Sequence, residues 1–190
     1  MKRKSLILMS GLFLLFTFTG CNVIKQVKTL ADCTFAFDGI SNVRIAGVSL
    51  DKVSNPSQIS LTDVAAIISA ITNKTAQITF DANVAIKNPN SQQVNVNKLA
   101  WKLALDNVEL IEGEQTTPIV VNANSTTKTS IEAKIDAAKV LKGSTIESVY
   151  TLYQNLTGKN ASSKSNVTVK VKPTINNFTF PSYVTINTSL

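Results

Sequence analysis

Hydrophobic and polar positions alternate along much of this chain with a period of two, which places successive side chains on opposite faces of a strand. The clearest stretch is 76–87. Ala76, Ile78, Phe80, Ala82, Val84 and Ile86 share one face, and Gln77, Thr79, Asp81, Asn83 and Lys87 share the other. One dry and one wet face predict a strand of an antiparallel sheet. Asn88-Pro89-Asn90 ends it, because Pro89 has no N–H for a ladder and asparagine suits turns. Val94 and Val96 then hold one phase and Leu99, Trp101, Leu103 and Leu105 the other, so a bulge is expected at Asn97-Lys98. Asp106-Asn107 predicts a hairpin turn, with 108–112 returning before Gly113. Further strands are expected at 118–122 and 129–135, joined by a polar stretch at 123–128. Val167, Val169 and Val171 alternate with Thr168, Lys170 and Lys172, and Phe178, Phe180, Val184 and Ile186 predict a last strand around Pro181. Upstream, 33–50 fits one or two strands broken at Gly39 and Gly47.

Two segments carry the helical period instead. Val64, Ile67, Ile68 and Ile71 lie at i, i+3, i+4 and i+7, after a turn at Asn55-Pro56-Ser57. Ser60 or Thr62 is the N-cap of this helix, and Asp63 favours its first turn. Asp136 is expected to cap a second helix through Val140, Leu141, Ile146, Val149, Tyr150 and Tyr153, across Gly143, before a polar loop at 160–164. Short strands with turn signals about every ten residues indicate a mainly β chain folded as a β-sandwich. The two short helices would cover an end or a face. No repeat and no Gly/Ser linker divides the chain, so one domain is expected at 33–190.

The first twenty residues stand apart from this pattern. Lys2, Arg3 and Lys4 precede an apolar run from Ser5 to Phe18, and Phe18-Thr19-Gly20-Cys21 follows. Fourteen helical residues rise roughly 21 Å, short of the ~30 Å hydrocarbon core of a bilayer. The order resembles a lipoprotein signal peptide with its lipobox, at 1–20. That resemblance implies cleavage before Cys21, diacylglycerol on its thiol and an acyl chain such as palmitate on its new amino group. Two or three acyl chains hold a protein on a membrane where one does so only marginally. Asn22, in place of aspartate, implies sorting to the outer membrane, so the expected location is the bacterial cell envelope. Residues 21–32 then form a lipidated tether. Val23, Ile24, Val27 and Leu30 have helical spacing there, which leaves a short helix and a flexible link both open.

Composition narrows the chemistry. The chain has 190 residues and no histidine, which excludes Ser-His-Asp and Cys-His nucleophiles and His-ligated metals. Two cysteines are too few for a thiolate cluster, and with Cys21 acylated Cys33 has no partner in its own chain. It reads as a buried apolar residue. The whole chain carries +7, but the mature part has sixteen basic against twelve acidic residues, with Arg44 its one arginine. A nucleic-acid role is therefore not expected. Glu112 and Glu114 flank Gly113 and read as a solvated loop. No phosphate-binding glycine motif occurs. No catalytic, cofactor or metal site is expected, and no enzyme.

The strand ending in Asn88-Pro89-Asn90, then Val96-Asn97-Lys98-Leu99-Ala100-Trp101-Lys102-Leu103, a turn and Gly113, resembles the late-embryogenesis-abundant type 2, or WHy, domain. The resemblance is best at 76–140, and Trp101 stands where that family commonly has tyrosine. Cys33-Thr34-Phe35 with Ala46-Gly47 resembles the mature start of lipid-anchored bacterial members. It implies an immunoglobulin- or fibronectin-like sandwich of two antiparallel sheets, with the Asn-Pro-Asn turn structural. The implied function is a non-catalytic structural or stress-protective envelope lipoprotein, held to the membrane through Cys21. The alternative is a binding module for lipid or another apolar ligand, in a groove between the sheet and the helix at 60–73.

Overall fold

The dry face of the central strand organises the molecule. β3 (Gln77–Asn88) buries Ile78, Phe80, Ala82, Val84 and Ile86 to 1% exposure or less, while Thr79, Asp81 and Asn83 line its other face. The computed structural model describes residues 20–159 and 166–189. The basic and apolar run before Gly20 and the polar loop expected at 160–164 lie outside the described residues. β1 (Thr34–Ile45) and β8 (Ser125–Asp136) flank β3, both antiparallel, the latter in unbroken register from Gln77 opposite Asp136 to Asn88 opposite Ser125. β2 (Val48–Ser49) turns back on β1 through Ala46-Gly47. The first sheet is thus β2-β1-β3-β8. β1 runs through Gly39 as one strand, with register shifts at Phe37/Ile40 and Ser41/Arg44.

The second sheet has the order β10-β9-β5-β6, with β11 also on β9. Its strands are β5 (Lys98–Leu105), β6 (Val108–Gln115), β9 (Asn166–Ile175), β10 (Phe178–Thr179) and β11 (Val184–Ser189). Leu99, Trp101, Leu103, Val167, Val169 and Val171 turn inward against the first sheet's dry face. Two packed antiparallel sheets make the sandwich that the alternation predicted. The Gln115 amide donates to the Thr129 hydroxyl at 3.2 Å, tying β6 to β8 along one side.

Four expectations need correction. The phase change at Asn97 is a change of sheet, not a bulge within one strand. Val94 and Val96 belong to β4 (Val94–Val96), which pairs with β7 (Ile119–Val121), whereas β5 joins the second sheet. Gly113 does not end the return strand, because β6 continues to Gln115. Asp136 caps only a short 3-10 turn, Ala137–Lys139, by accepting from the Ala138 N–H. Gly143, at φ +120°, breaks the path, and a helix begins afresh with Thr145 as its N-cap. The final strand is two pieces, β10 and β11, separated at Pro181.

Three helices, not two, are present among the described residues. α1 (Gly20–Ala31) fills the segment whose conformation the spacing left open. α2 (Leu61–Thr72) starts at Ser60, whose hydroxyl accepts from the Asp63 N–H, and it buries Ile67. α3 (Ile146–Thr157) buries Val149, Leu152, Tyr153 and Leu156 and ends at Gly158, whose φ of +70° suits a residue without Cβ. α1 lies at one pole with β4, β7 and the β3 end. α2 and α3 lie at the other, with the Asp106-Asn107 hairpin.

Candidate functional site

The Asn88-Pro89-Asn90 turn is a hydrogen-bond hub centred on one buried residue. Asn88 is 1% exposed, since a strand-end residue continuing the phase of Ile86 must point into the sandwich. Its amide donates to the carbonyls of Gln92 (2.8 Å), Asn122 (3.1 Å) and Val121 (3.3 Å). Its Oδ1 accepts from the Asn90 N–H (3.0 Å) and from Asn90 Nδ2 (3.1 Å). One side chain thus satisfies backbone groups from β7, from the loop before β4 and from its own turn, where unpaired buried groups are costly.

Asn90 extends the hub to α1. Its Nδ2 donates to the Thr29 carbonyl at 3.1 Å. That carbonyl is in the last turn of α1, where the helix has no partners of its own to give. The Cys33 thiol donates to the same oxygen at 3.3 Å. Leu30 is 1% exposed, Val27 packs on the core, and the Asn95 N–H reaches Gln26 Oε1 at 3.5 Å. Cys21, the expected lipidation residue, is the second residue of this docked helix. Cys33 is free and buried, and burial, with the Asp32 carboxylate beside it, pushes its thiol pKa up. The sequence marked the turn but not its reach to α1, because the acceptor lies 61 residues upstream.

Trp101 and Gly113 form a second matched pair. They are opposite each other in the β5–β6 register, and a Cβ at Gly113 would lie 2.5 Å from the Trp101 ring. The glycine is in a strand because the indole occupies the space a side chain needs. Glu112 and Glu114, read as a solvated loop, sit instead on β6 and face β5. Lys102 Nζ lies 2.7 Å from Glu112 and 3.1 Å from Glu109, and Lys98 lies 3.8 Å from Glu114. The two glutamates raise the pKa of Lys102.

The expected apolar groove is small. The space between α2 and the 3-10 turn, lined by Ile71, Ala76, Ala137 and Leu141 among others, is about 80 Å³. Sites for drug-sized ligands run to about 300–1,000 Å³. The larger depressions, of about 290 and 400 Å³, are open and carry polar residues such as Lys142, Glu147, Asn107 and Asn187. Among the described residues no group of three His, Cys, Asp or Glu side chains could hold a metal ion, and no helix is long and apolar enough to cross a membrane.

The two antiparallel sheets, with the hub centred on Asn88 at one pole, define a small antiparallel β-sandwich domain. Residues 83–186, more than half of the chain, match the family model LEA_2, described as late embryogenesis abundant protein, and the chain belongs to that family. Membership carries a stress-related or structural role for the domain. No curated protein matches the chain. Solved structures similar to the chain include the following three. One is a crystal structure of an Archaeoglobus fulgidus protein, at 16% identity and TM-score 0.37, covering 60% of this chain and 84% of that one. Another is a solution structure of an Arabidopsis thaliana protein, at 17% identity and TM-score 0.35, covering 60% and 67%. The third is a solution structure titled as a candidate late embryogenesis abundant protein, at 12% identity and TM-score 0.37, covering 95% and 80%.

Proposed function

We propose that the chain is a bacterial envelope lipoprotein, anchored by acyl chains on Cys21 in the outer membrane and facing the periplasm. Its sandwich acts as a structural or stress-protective body without catalysis. The observation that carries this reading is the junction at Cys21. A basic start, a short apolar run and Phe18-Thr19-Gly20 lead to a cysteine that stands one residue inside a helix docked on a domain of the late embryogenesis abundant family. Acylation there supplies the hold on the membrane that the described helices do not. A protective role fits a domain whose outer faces are polar, with Asp81, Asn83, Ser130 and Lys134 on one sheet and Lys98, Lys102 and Glu114 on the other. Such a body meets its neighbours through its surface.

The test is metabolic labelling with an alkyne palmitate in the native host, followed by membrane fractionation. The wild-type chain is expected to label and to sediment with outer membrane, and Cys21→Ser to lose both. Thiol titration of the exported chain should find one reactive thiol, Cys33, and only after unfolding. Two thiols would refute acylation of the Cys21 sulfur. Survival of a deletion strain after drying then tests the protective role.

A further inference from the structure

We infer that the α1 pole of the sandwich is a membrane-seating surface, which lies on anionic phospholipid and fixes the domain's orientation. The inference rests on the anchored reading above but adds a face and a partner. α1 is split lengthwise. Val27 and Leu30 pack on the sandwich, while Ile24, 70% exposed, and the exposed Lys25 and Lys28 look away from it.

The apolar exposure continues onto neighbouring elements. Val120, 46% exposed, is the register partner of Asn95, whose N–H contacts Gln26 of α1. Phe178, 42% exposed, follows Asn176, whose N–H donates to the Asn97 side chain next to β4. Among the described residues, three of the five large exposed hydrophobic side chains therefore belong to elements at this pole. Lys25, Lys28, Lys87 and Lys98 lie there against Asp32 and Glu114, an excess of positive charge. The opposite pole offsets its lysines with Asp51, Asp63, Asp106, Asp136 and Glu147.

The chain itself names the occupant. The nineteen residues before α1 carry Lys2, Arg3, Lys4 and the apolar run, and they join the domain at Gly20. Whether that segment is replaced by acyl chains or retained, the link to lipid is made at this pole. The hub then matters mechanically. Asn90 holds the last turn of α1, so the helix transmits the membrane's position to the sandwich instead of swinging. Exposed apolar tips with lysines beside them suit an interface rich in anionic headgroups.

The experiment uses the full chain expressed with its own signal, purified in detergent and reconstituted into vesicles of phosphatidylethanolamine and phosphatidylglycerol with brominated acyl chains. Tryptophan is placed at the pole by Ile24→Trp or Phe178→Trp, and at the opposite pole by Leu61→Trp, a position 89% exposed. The parent's buried Trp101 gives the baseline. Emission at positions 24 and 178 is expected to fall by about half, and emission at 61 to stay at baseline. Adding Lys25→Glu with Lys28→Glu should remove most of the quenching at 24. Equal quenching at 24 and 61 would mean a freely swinging domain. No quenching at 24 would mean that another surface, such as a second copy of the chain, covers the pole. Either result overturns the inference, as does quenching insensitive to the charge reversal. Intact mass of the same preparation reports acylation of Cys21. An unmodified Cys21 sinks the lipoprotein reading and leaves the quenching pattern to decide the pole.

Discussion

Asn88→Ala is the most direct probe of the hub. The substitution removes an amide that donates to three carbonyls and an oxygen that accepts from Asn90, at a site 1% exposed. The bond to Val121 lies in the interior, and those to Gln92 and Asn122 are partly buried, so water can reach the latter carbonyls after truncation. A buried group left unpaired costs ~1–3 kcal/mol, and a rehydrated one loses about 1 kcal/mol or less. The expected loss is therefore about 3 kcal/mol, or about 6–12 °C in Tm for a domain of this size. Asn88→Asp sharpens the point. It keeps the shape and the acceptor for Asn90 but sets a carboxylate oxygen against three carbonyl oxygens, so it should destabilise more than alanine does. Asn90→Ala removes the cap on Thr29 and should cost about 1 kcal/mol. Faster amide exchange should then be confined to α1. Urea unfolding at constant m-value measures all three. If Asn88→Ala or Asn88→Asp falls within about 0.5 kcal/mol of wild type, the hub is not what holds this pole and the reasoning fails.

Two further outcomes follow from pairs across β5 and β6. Gly113→Ala should destabilise by about 1–3 kcal/mol by forcing a methyl into the Trp101 ring, and combining it with Trp101→Leu should recover part of that loss. A double-mutant cycle in urea decides this, and strict additivity would refute it. The pKa of Lys102 is raised by the hydrogen bonds its ammonium donates to Glu112 and Glu109, so its contribution is complete below the unfolded lysine value, ~10.4, and is lost as pH rises beyond it. Lys102→Met should leave the slope of stability between about pH 6 and 9 unchanged and flatten the decline above about 10.4. A changed slope near neutrality would assign that titration to other groups.

Legibility in the sequence followed the range of the interaction. The alternation of β3 is local, and it predicted both the strand and its buried face residue by residue. The Ser60 cap and the Asp106-Asn107 turn are equally local, and the structure shows both, with positive φ at Asp106 and Asn107. Failures came where a local signal had two physical sources. A phase shift marks either a bulge or a strand leaving one sheet for another, and at Asn97 the remote partner β7 decided between them. A glycine marks either a turn or a close approach, and at Gly113 the indole across the ladder decided. Asn88 was legible as a turn former. Its hydrogen-bond partners became visible only once β7 and the loop before β4 were brought to it.

The family match also divides the molecule by task. It begins at Asn83, inside β3, so α1, β1 and α2 lie before it in the sequence. Yet β1 is an interior strand of the first sheet, and it is fastened to the matched part by the Asn83 amide donating to the Ser41 hydroxyl at 3.0 Å and by Lys128 beside Asp38 at 2.7 Å. The leading segment is therefore built into the domain and not appended to it. Its first helix meets the matched part at Asn90, a residue of the same turn whose first asparagine closes the sandwich. One motif thus joins two tasks, holding the pole shut and holding the helix on it. The tasks separate by residue. Loss of the Asn90 amide should free α1 while the sheets stay packed, whereas a methyl on Gly113 should loosen the sheets while α1 stays docked.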